Sequence, residues 1–230
     1  MLLPLAGRPM LDYLLDKLRE VDEIDEFHLV TNSRFAPRFE EWAPEDVTVH
    51  DDGTTSNDDR LGAIGDIRYA VERAGLEDDD VLVVAGDNLI GYSVPAYVSF
   101  WREKGGSAIA LYECPDRDLI KQYGVVQLDE GDRVVDFEEK PAEPKSDLAA
   151  TAAYLYPPEH LRLLDDYLAE GNPPDAPGNY VQWLYSRAPV YGYRFSGEWL
   201  DIGDHEQLLE ADNRMRERAG LPRRAAYAPD

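Results

Sequence analysis

The run Val81-Leu82-Val83-Val84-Ala85, closed abruptly by Gly86-Asp87-Asn88, constrains the fold more than any other stretch of the chain. A near-continuous apolar run of this length is expected of a strand covered on both faces, the habit of sheets flanked by helices on each side. The neighbouring segments agree. Met10, Leu11, Leu14, Leu15, Leu18 and Val21 make one helical stripe over 9–21, Phe27-His28-Leu29-Val30-Thr31 has the pattern of a buried strand, 34–42 that of a helix and 47–49 that of a short strand. Strands alternating with helices predict an α/β fold with a mainly parallel sheet. In such sheets ligands gather at the carboxyl ends of the strands, which is where Asp87 stands.

The second half is more elaborate. Helices are expected over 60–74, 94–103, 158–170 and 180–186, and strands over 108–113, 149–156 and 190–195. Two short strands, 124–128 and 133–138, flank Asp129-Glu130-Gly131-Asp132 and predict a hairpin. The Gly- and Pro-rich stretch 171–178 is expected to be only a connection. Asp204 with Gln207 three residues on has capping-box spacing for a helix over 204–218. No repeat or boundary divides the chain, so a single domain over 1–219 with a mobile tail at 220–230 is expected.

Charge narrows the function. There are 47 Asp and Glu against 23 Lys and Arg, a formal net charge of -24, and five of the cations are Lys. Nucleic acid and anionic membrane surfaces are thereby excluded as partners, because neutralising phosphates needs cations in excess. Acids spread along the whole chain are the pattern of a halophilic, salt-adapted surface, where self-repulsion is screened. One cysteine, Cys114, leaves no internal disulfide, and no apolar run reaches the roughly 20 residues of a membrane span, so a cytoplasmic protein is expected.

Asp87 and Asp201, the latter in Trp199-Leu200-Asp201-Ile202-Gly203, each follow an apolar stretch. Two carboxylates on rigid elements suit Mg²⁺, which takes one or two protein carboxylates and completes its octahedron with water and substrate phosphates. The plainer alternative is a turn residue and a surface acid in a chain full of acids. In Phe137-Glu138-Glu139-Lys140-Pro141, Lys140 has the character of a point charge for a phosphate and Glu139 that of an acceptor for hydroxyls, or the two make an ordinary surface ion pair. Gly124, after Tyr123, either lets backbone approach a ligand or simply turns the chain. The stretch 51–59 lacks the spacing of a calcium loop, the four His show no metal-ligand spacing, and no nucleophile elbow is present. Together these favour metal-assisted transfer over covalent catalysis.

Six motifs in order, Pro4 to Leu11, Gly53-Thr54-Thr55-Ser56-Asn57 with Arg60 to Gly65, Gly86-Asp87-Asn88, Tyr123-Gly124-Val125-Val126, Glu138-Glu139-Lys140-Pro141 and Trp199 to Gly203, resemble the sugar-nucleotide pyrophosphorylase family, glucose-1-phosphate thymidylyltransferases and their archaeal relatives above all. The resemblance implies a nucleotide-diphospho-sugar transferase fold, Rossmann-like, three-layered α/β/α. It implies transfer from a nucleoside triphosphate, dTTP or UTP, to a sugar 1-phosphate such as glucose 1-phosphate, with pyrophosphate released. By the same resemblance Asp87 and Asp201 hold Mg²⁺, Lys140 holds the sugar phosphate, and Glu139 and Gly124 hold the sugar hydroxyls. Gly62 lies against the nucleobase, Tyr154 and Trp199 wall the sugar site, and Asn57 and Tyr123 complete the substrate contacts. Members are often oligomeric, so a homo-oligomer is a further expectation.

Two departures qualify these implications. Asn57 and Arg60 to Gly65 replace the Gln-Pro pair and Gly-Leu-Ala-Gln run of the commoner thymidylyltransferase pattern, leaving base choice open. The family's first strand and its G-x-G-T-R triphosphate loop would lie upstream of Leu3 and are missing from these residues. The alternative is a non-catalytic sugar-phosphate or nucleotide-binding module of the same fold. Residues 1–230 alone are therefore expected to release little pyrophosphate with any triphosphate, and a form extended upstream to turn over with Mg²⁺; equal rates in a coupled pyrophosphate assay would contradict this.

Overall fold

A computed structural model describes residues 1–195 and 197–229. The chain opens with a hairpin, β1 (Pro4–Leu5) and β2 (Arg8–Pro9), whose turn residues Ala6 and Gly7 both have positive φ (50° and 83°), as a tight two-residue turn requires. Helix α1 (Met10–Leu18) follows at once, burying Met10, Leu11, Leu14 and Leu15. Strand β3 (Phe27–Thr31), α2 (Ala36–Trp42) and β4 (Val47–Asp51) form a parallel unit in the register Phe27↔Val47 to Thr31↔Asp51. Helix α3 (Ala63–Ala74) packs on β3 and ends at left-handed Gly75. Next come β5 (Val81–Val84), β6 (Asn88–Ile90), α4 (Val94–Lys104) and β7 (Ser107–Glu113). The predicted hairpin is β8 (Gly124–Leu128) and β9 (Val134–Glu139), followed by the long β10 (Leu148–Tyr156). Helices α5 (Pro158–Leu161), α6 (Leu163–Ala169) and α7 (Pro177–Leu184) precede β11 (Val190–Phe195), β12 (Trp199–Asp201) and α8 (His205–Arg218).

The main sheet has the order β11-β7-β10-β8-β9, with β5 also paired to β10. It is mixed rather than mainly parallel: β11 joins β7 in parallel, but β10 is antiparallel to β5, β7 and β8. The reason lies in the hairpin. β9 runs against β8, the following loop doubles back so that Lys145 reaches Asp136 and Glu138 of β9 (3.0 and 2.8 Å), and β10 re-enters the sheet in the sense of β9. An apolar run carries no mark of its direction, so sequence pattern could not show this. β5 itself is half-buried rather than covered on both faces, and among the described residues it pairs with β10 alone, as β3 pairs with β4 alone.

Side chains alternate across this sheet into two cores, which makes the three layers. Ile109, Leu111, Tyr154 and Tyr156 face α3, α6 and α7, while Ala108, Ala110, Ala153 and Leu155 face α1 and α4. The expected helix over 158–170 is broken at Arg162 into α5 and α6, and α7 begins at Pro177, inside the stretch expected as connection, with proline in its first turn. The capping box of Asp204 and Gln207 is formed. Buried Asp212 of α8 accepts from Ala6 N–H (2.7 Å), fixing the first hairpin. Of the expected tail 220–230, Asp230 lies outside the described residues. Asn213 bonds the backbone of Arg224 through both amide atoms, and the Tyr227 hydroxyl donates to the Pro4 carbonyl (2.8 Å). No helix among the described residues is long and apolar enough to cross a membrane.

His28 and His50 stand side by side on β3 and β4, Nδ1 to Nε2 at 3.0 Å, with Glu26 Oε2 3.0 Å from the other nitrogen of His28. Burial, then the charges of His28 and Arg73, hold the His50 pKa below its ordinary 6.5. Below pH 6.5 the folded chain therefore binds fewer protons at His50 than the unfolded chain does, and stability falls as pH falls. His50→Gln is expected to cost about 0.5–1.5 kcal/mol at pH 7 through the lost hydrogen bond, yet to lessen the fall in stability between about pH 7 and 5. Urea unfolding at the two pH values measures it, and an unchanged pH dependence would count against the assignment.

Candidate functional site

Strand β10 carries the irregularity that shapes the site. Its register against β7 slips between Ala150 and Tyr154, with Ala152 at φ 52° and Thr151 Oγ1 donating to the Ala110 carbonyl (3.0 Å). The bulged Ala152 carbonyl accepts from Ala85 N–H (3.0 Å), the last tie of the β5 segment, after which the chain leaves the sheet at Gly86. A Cβ at Gly86 would stand 3.0 Å from Met1 Sδ and 3.2 Å from Leu11 Cδ2, so a side chain there would have to displace its neighbours.

Beyond that turn β6 pairs antiparallel with β12, Asp201 opposite Asn88, and Ile202 N–H donates to the Asp87 carbonyl (3.0 Å). This ladder sets Asp87 and Asp201 beside each other. Asn88 is buried between them and the core: its amide donates to Asp87 Oδ1 (2.7 Å) and its carbonyl accepts from Trp199 Nε1. The Trp199 ring meets Tyr123 edge-on, with centroids 4.8 Å apart, and Tyr112 at 5.7 Å. Trp199 is thus a buried floor, and Tyr123 stands half-buried over it. Burial, then the Asp201 charge, push the Tyr123 pKa up to about 12, which keeps it a neutral hydroxyl.

Asp201 bears the electrostatic cost of this pairing. Burial, then the charge of Asp87, push the Asp201 pKa up to about 6, while Lys140 opposes the rise. Among the described residues no group of three or more His, Cys, Asp or Glu is gathered for a metal ion. Two hard oxygen donors with mutual repulsion fit Mg²⁺, which retains water and substrate oxygens at its other positions.

Lys140 follows β9 at φ 48°, its N–H donating to the Tyr123 carbonyl (3.1 Å). Glu139, paired in register with Gly124, has its pKa raised by burial and restrained by Lys140. A Cβ at Gly124 would lie 2.5 Å from Phe137 Cζ and 3.2 Å from Glu139 Oε2. Glycine at 124 therefore admits those side chains, whatever else it meets. Burial, then the charge of nearby Glu139, raise the Tyr154 pKa. Beside Glu139 opens a cleft of about 620 Å³ lined also by Glu138, Glu143, Lys145 and Gln182.

Asp87, Asp201, Lys140, Tyr123, Trp199, Glu139, Gly124 and Tyr154 are thus drawn together. Asn57 is exposed in the loop before α3, and among the described residues no hydrogen bond or ion pair joins it to this group. Gly62 caps α3 at φ 78°, and the side a Cβ would occupy is filled by the Pro174 carbonyl oxygen at 2.6 Å. Two contributors carried no assigned role in the sequence. Asn88 orients Asp87; its place in Gly86-Asp87-Asn88 was the available signal. Gly178 packs against Glu139 and was hidden in a Pro-Gly pair that resembles a turn.

The model of the nucleotidyl transferase family matches residues 1–218. The UTP–glucose-1-phosphate uridylyltransferase of Synechocystis sp. is 28% identical over 217 residues, covering 88% of this chain and 54% of the relative. The glucose-1-phosphate adenylyltransferase of Clostridium acetobutylicum is 30% identical over 154 residues, 65% of this chain and 40% of the relative. The chain thus spans about half the length of these relatives, or less. A solved UDP-glucose pyrophosphorylase, complexed with UDP-glucose, matches with a TM-score of 0.79 at 18% identity over 94% of this chain and 90% of that one, a likeness of fold.

Neutralising Asp201 separates its two effects. Its displacement from 3.8 to about 6 is worth about 1 kcal/mol after allowance for partial exposure. Because the pKa is raised, this cost is present near pH 7 and relieved toward pH 4. Asp201→Asn is expected to stabilise the metal-free protein by about that amount at pH 7 and to abolish the rise in Tm on adding Mg²⁺. A variant still stabilised by Mg²⁺ would show the metal assignment to be wrong.

Proposed function

Because the chain belongs to the nucleotidyl transferase family and has the nucleotide-diphospho-sugar transferase fold, we propose that it joins a nucleoside triphosphate to a sugar 1-phosphate. The reading is carried by one observation, the meeting of Asp87, Asp201, Lys140 and Glu139 at the end of β5, β9 and β12. A phosphate oxygen of the sugar 1-phosphate attacks the α-phosphorus, the bond to the bridging oxygen breaks, and pyrophosphate departs. The attacking oxygen is already anionic, so no general base is required. Positioning and charge compensation are what the protein must supply.

Asp87 and Asp201 would hold Mg²⁺, which when bound offsets the charge of the phosphates. Lys140 holds the sugar phosphate as a point charge, and Glu139 accepts from the sugar hydroxyls with Gly124 beside it. Trp199, Tyr123 and Tyr154 give that pocket its aromatic wall, and Asn88 fixes the Asp87 carboxylate. Asn57 and Gly62 belong to the nucleotide side. UTP and dTTP are the proposed triphosphates and glucose 1-phosphate the proposed acceptor; the naming of the Synechocystis relative supports UTP.

With Mg²⁺, UTP and glucose 1-phosphate, equimolar UDP-glucose and pyrophosphate are the expected products of the form extended upstream. Lys140→Ala is expected to weaken glucose 1-phosphate binding by ten- to a hundredfold, about 1.4–2.8 kcal/mol, as loss of a charged contact does. Calorimetry reads the binding and chromatography the product. Binding without product in any form of the protein would overturn the enzyme and uphold the binding module.

A further inference from the structure

We propose that Gly178 is a positioning residue for the sugar side of this site: its missing side chain is the space in which the Glu139 carboxylate rests. The stretch that sequence pattern gave only as a connection touches both halves of the site. The Pro174 carbonyl accepts from Ile64 N–H at the start of α3 (2.9 Å), and Asp175 pairs with Arg60 (3.0 Å). Four residues after Pro174, buried Gly178 lies in the first turn of α7, where a Cβ would stand 2.1 Å from Glu139 Oε2 and 3.0 Å from Phe137 Cζ. From the opposite side a Cβ at Gly124 would stand 3.2 Å from the same Oε2. The carboxylate therefore occupies a slot between two glycines, with the Phe137 ring against both.

Which neighbour yields to an added methyl decides the consequence. Phe137 is 1% exposed and locked in the core, so it holds its place. The carboxylate is the free end of a side chain and moves instead. Alanine at 178 is thus tolerated by the fold while it evicts Glu139 from the slot. That distinguishes positioning from a merely structural role. The inference rests on the reading that Glu139 faces the sugar.

The test is a mutant cycle read by calorimetry with glucose 1-phosphate, using wild type, Gly178→Ala, Glu139→Asp and the double variant. Gly178→Ala is expected to weaken glucose 1-phosphate binding at least tenfold while leaving Mg²⁺ binding within twofold and Tm within a few degrees. Glu139→Asp withdraws the carboxylate by one carbon–carbon bond, about 1.5 Å, opening the room the methyl needs. The double variant is therefore expected to bind more tightly than the product of the two single losses. Wild-type affinity in Gly178→Ala, or losses that simply multiply, would overturn the proposal. A folded wild type without affinity for glucose 1-phosphate would instead overturn the assignment of Glu139 to the sugar. The slot itself is then judged by a crystal structure of Gly178→Ala: a displaced carboxylate upholds it and an unmoved one overturns it.

Discussion

The ladder between β6 and β12 sets Asp201 opposite Asn88 and ties Ile202 N–H to the Asp87 carbonyl, and it does so against an electrostatic cost. Two carboxylates are brought together where burial raises the pKa of one of them to about 6. The repulsion alone would part them; what prevents it is everything else attached to the ladder. Trp199 is buried, with its indole N–H on Asn88 and its ring on Tyr112 and Tyr123, and the Asp204 capping box starts α8 directly after β12. Core packing thus maintains a local instability that the proposed divalent cation would relieve, the usual relation between a stable scaffold and a functional site.

Legibility from sequence followed the range of the forces involved. Elements defined by their own residues were readable: the stripe of α1, the hairpin of β8 and β9, the cap of α8. Asp87 and Asp201 stood out because each follows an apolar stretch, and Lys140 because it ends an expected strand in a chain with five Lys. What depends on distant partners was not readable. The direction of β10 is set by a loop folding back on β9, and its bulge by Thr151 reaching Ala110. Neither leaves a local pattern. Gly178 has the sequence context of a turn, and only the carboxylate lying against it gives the residue another meaning.

The net charge of -24 says less about the site than it first suggests. Many acids are engaged locally. Asp59 accepts from the backbone and hydroxyl groups of Thr55 and Ser56, and those hydrogen bonds, the backbone ones first, hold its pKa at about 2. Asp132 clasps Lys104 and Arg194, joining the hairpin turn to α4 and β11. Such acids organise loops and repel extended polyanions over the surface. A small phosphate ligand would be governed instead by the groups within a few ångströms of it, where the proposed cation on Asp87 and Asp201 and the ammonium of Lys140 would outweigh the screened background.

The backbone of Lys140 makes that local balance available. In a regular strand Glu139 and its successor would point to opposite faces, and the ammonium would sit across the sheet from the carboxylate. At φ 48° the strand's alternation stops, and Lys140 is near enough to both Glu139 and Asp201 to oppose the rise of each pKa. A left-handed lysine costs about 1 kcal/mol. The bond from Lys140 N–H to the Tyr123 carbonyl and the Gly124↔Glu139 pairing just before it hold the residue in that conformation. The same β8–β9 pairing therefore carries the strain, places the carboxylate against the glycines, and brings the Lys140 ammonium near Asp201, so that one local distortion joins the proposed sugar side of the site to its proposed phosphate side.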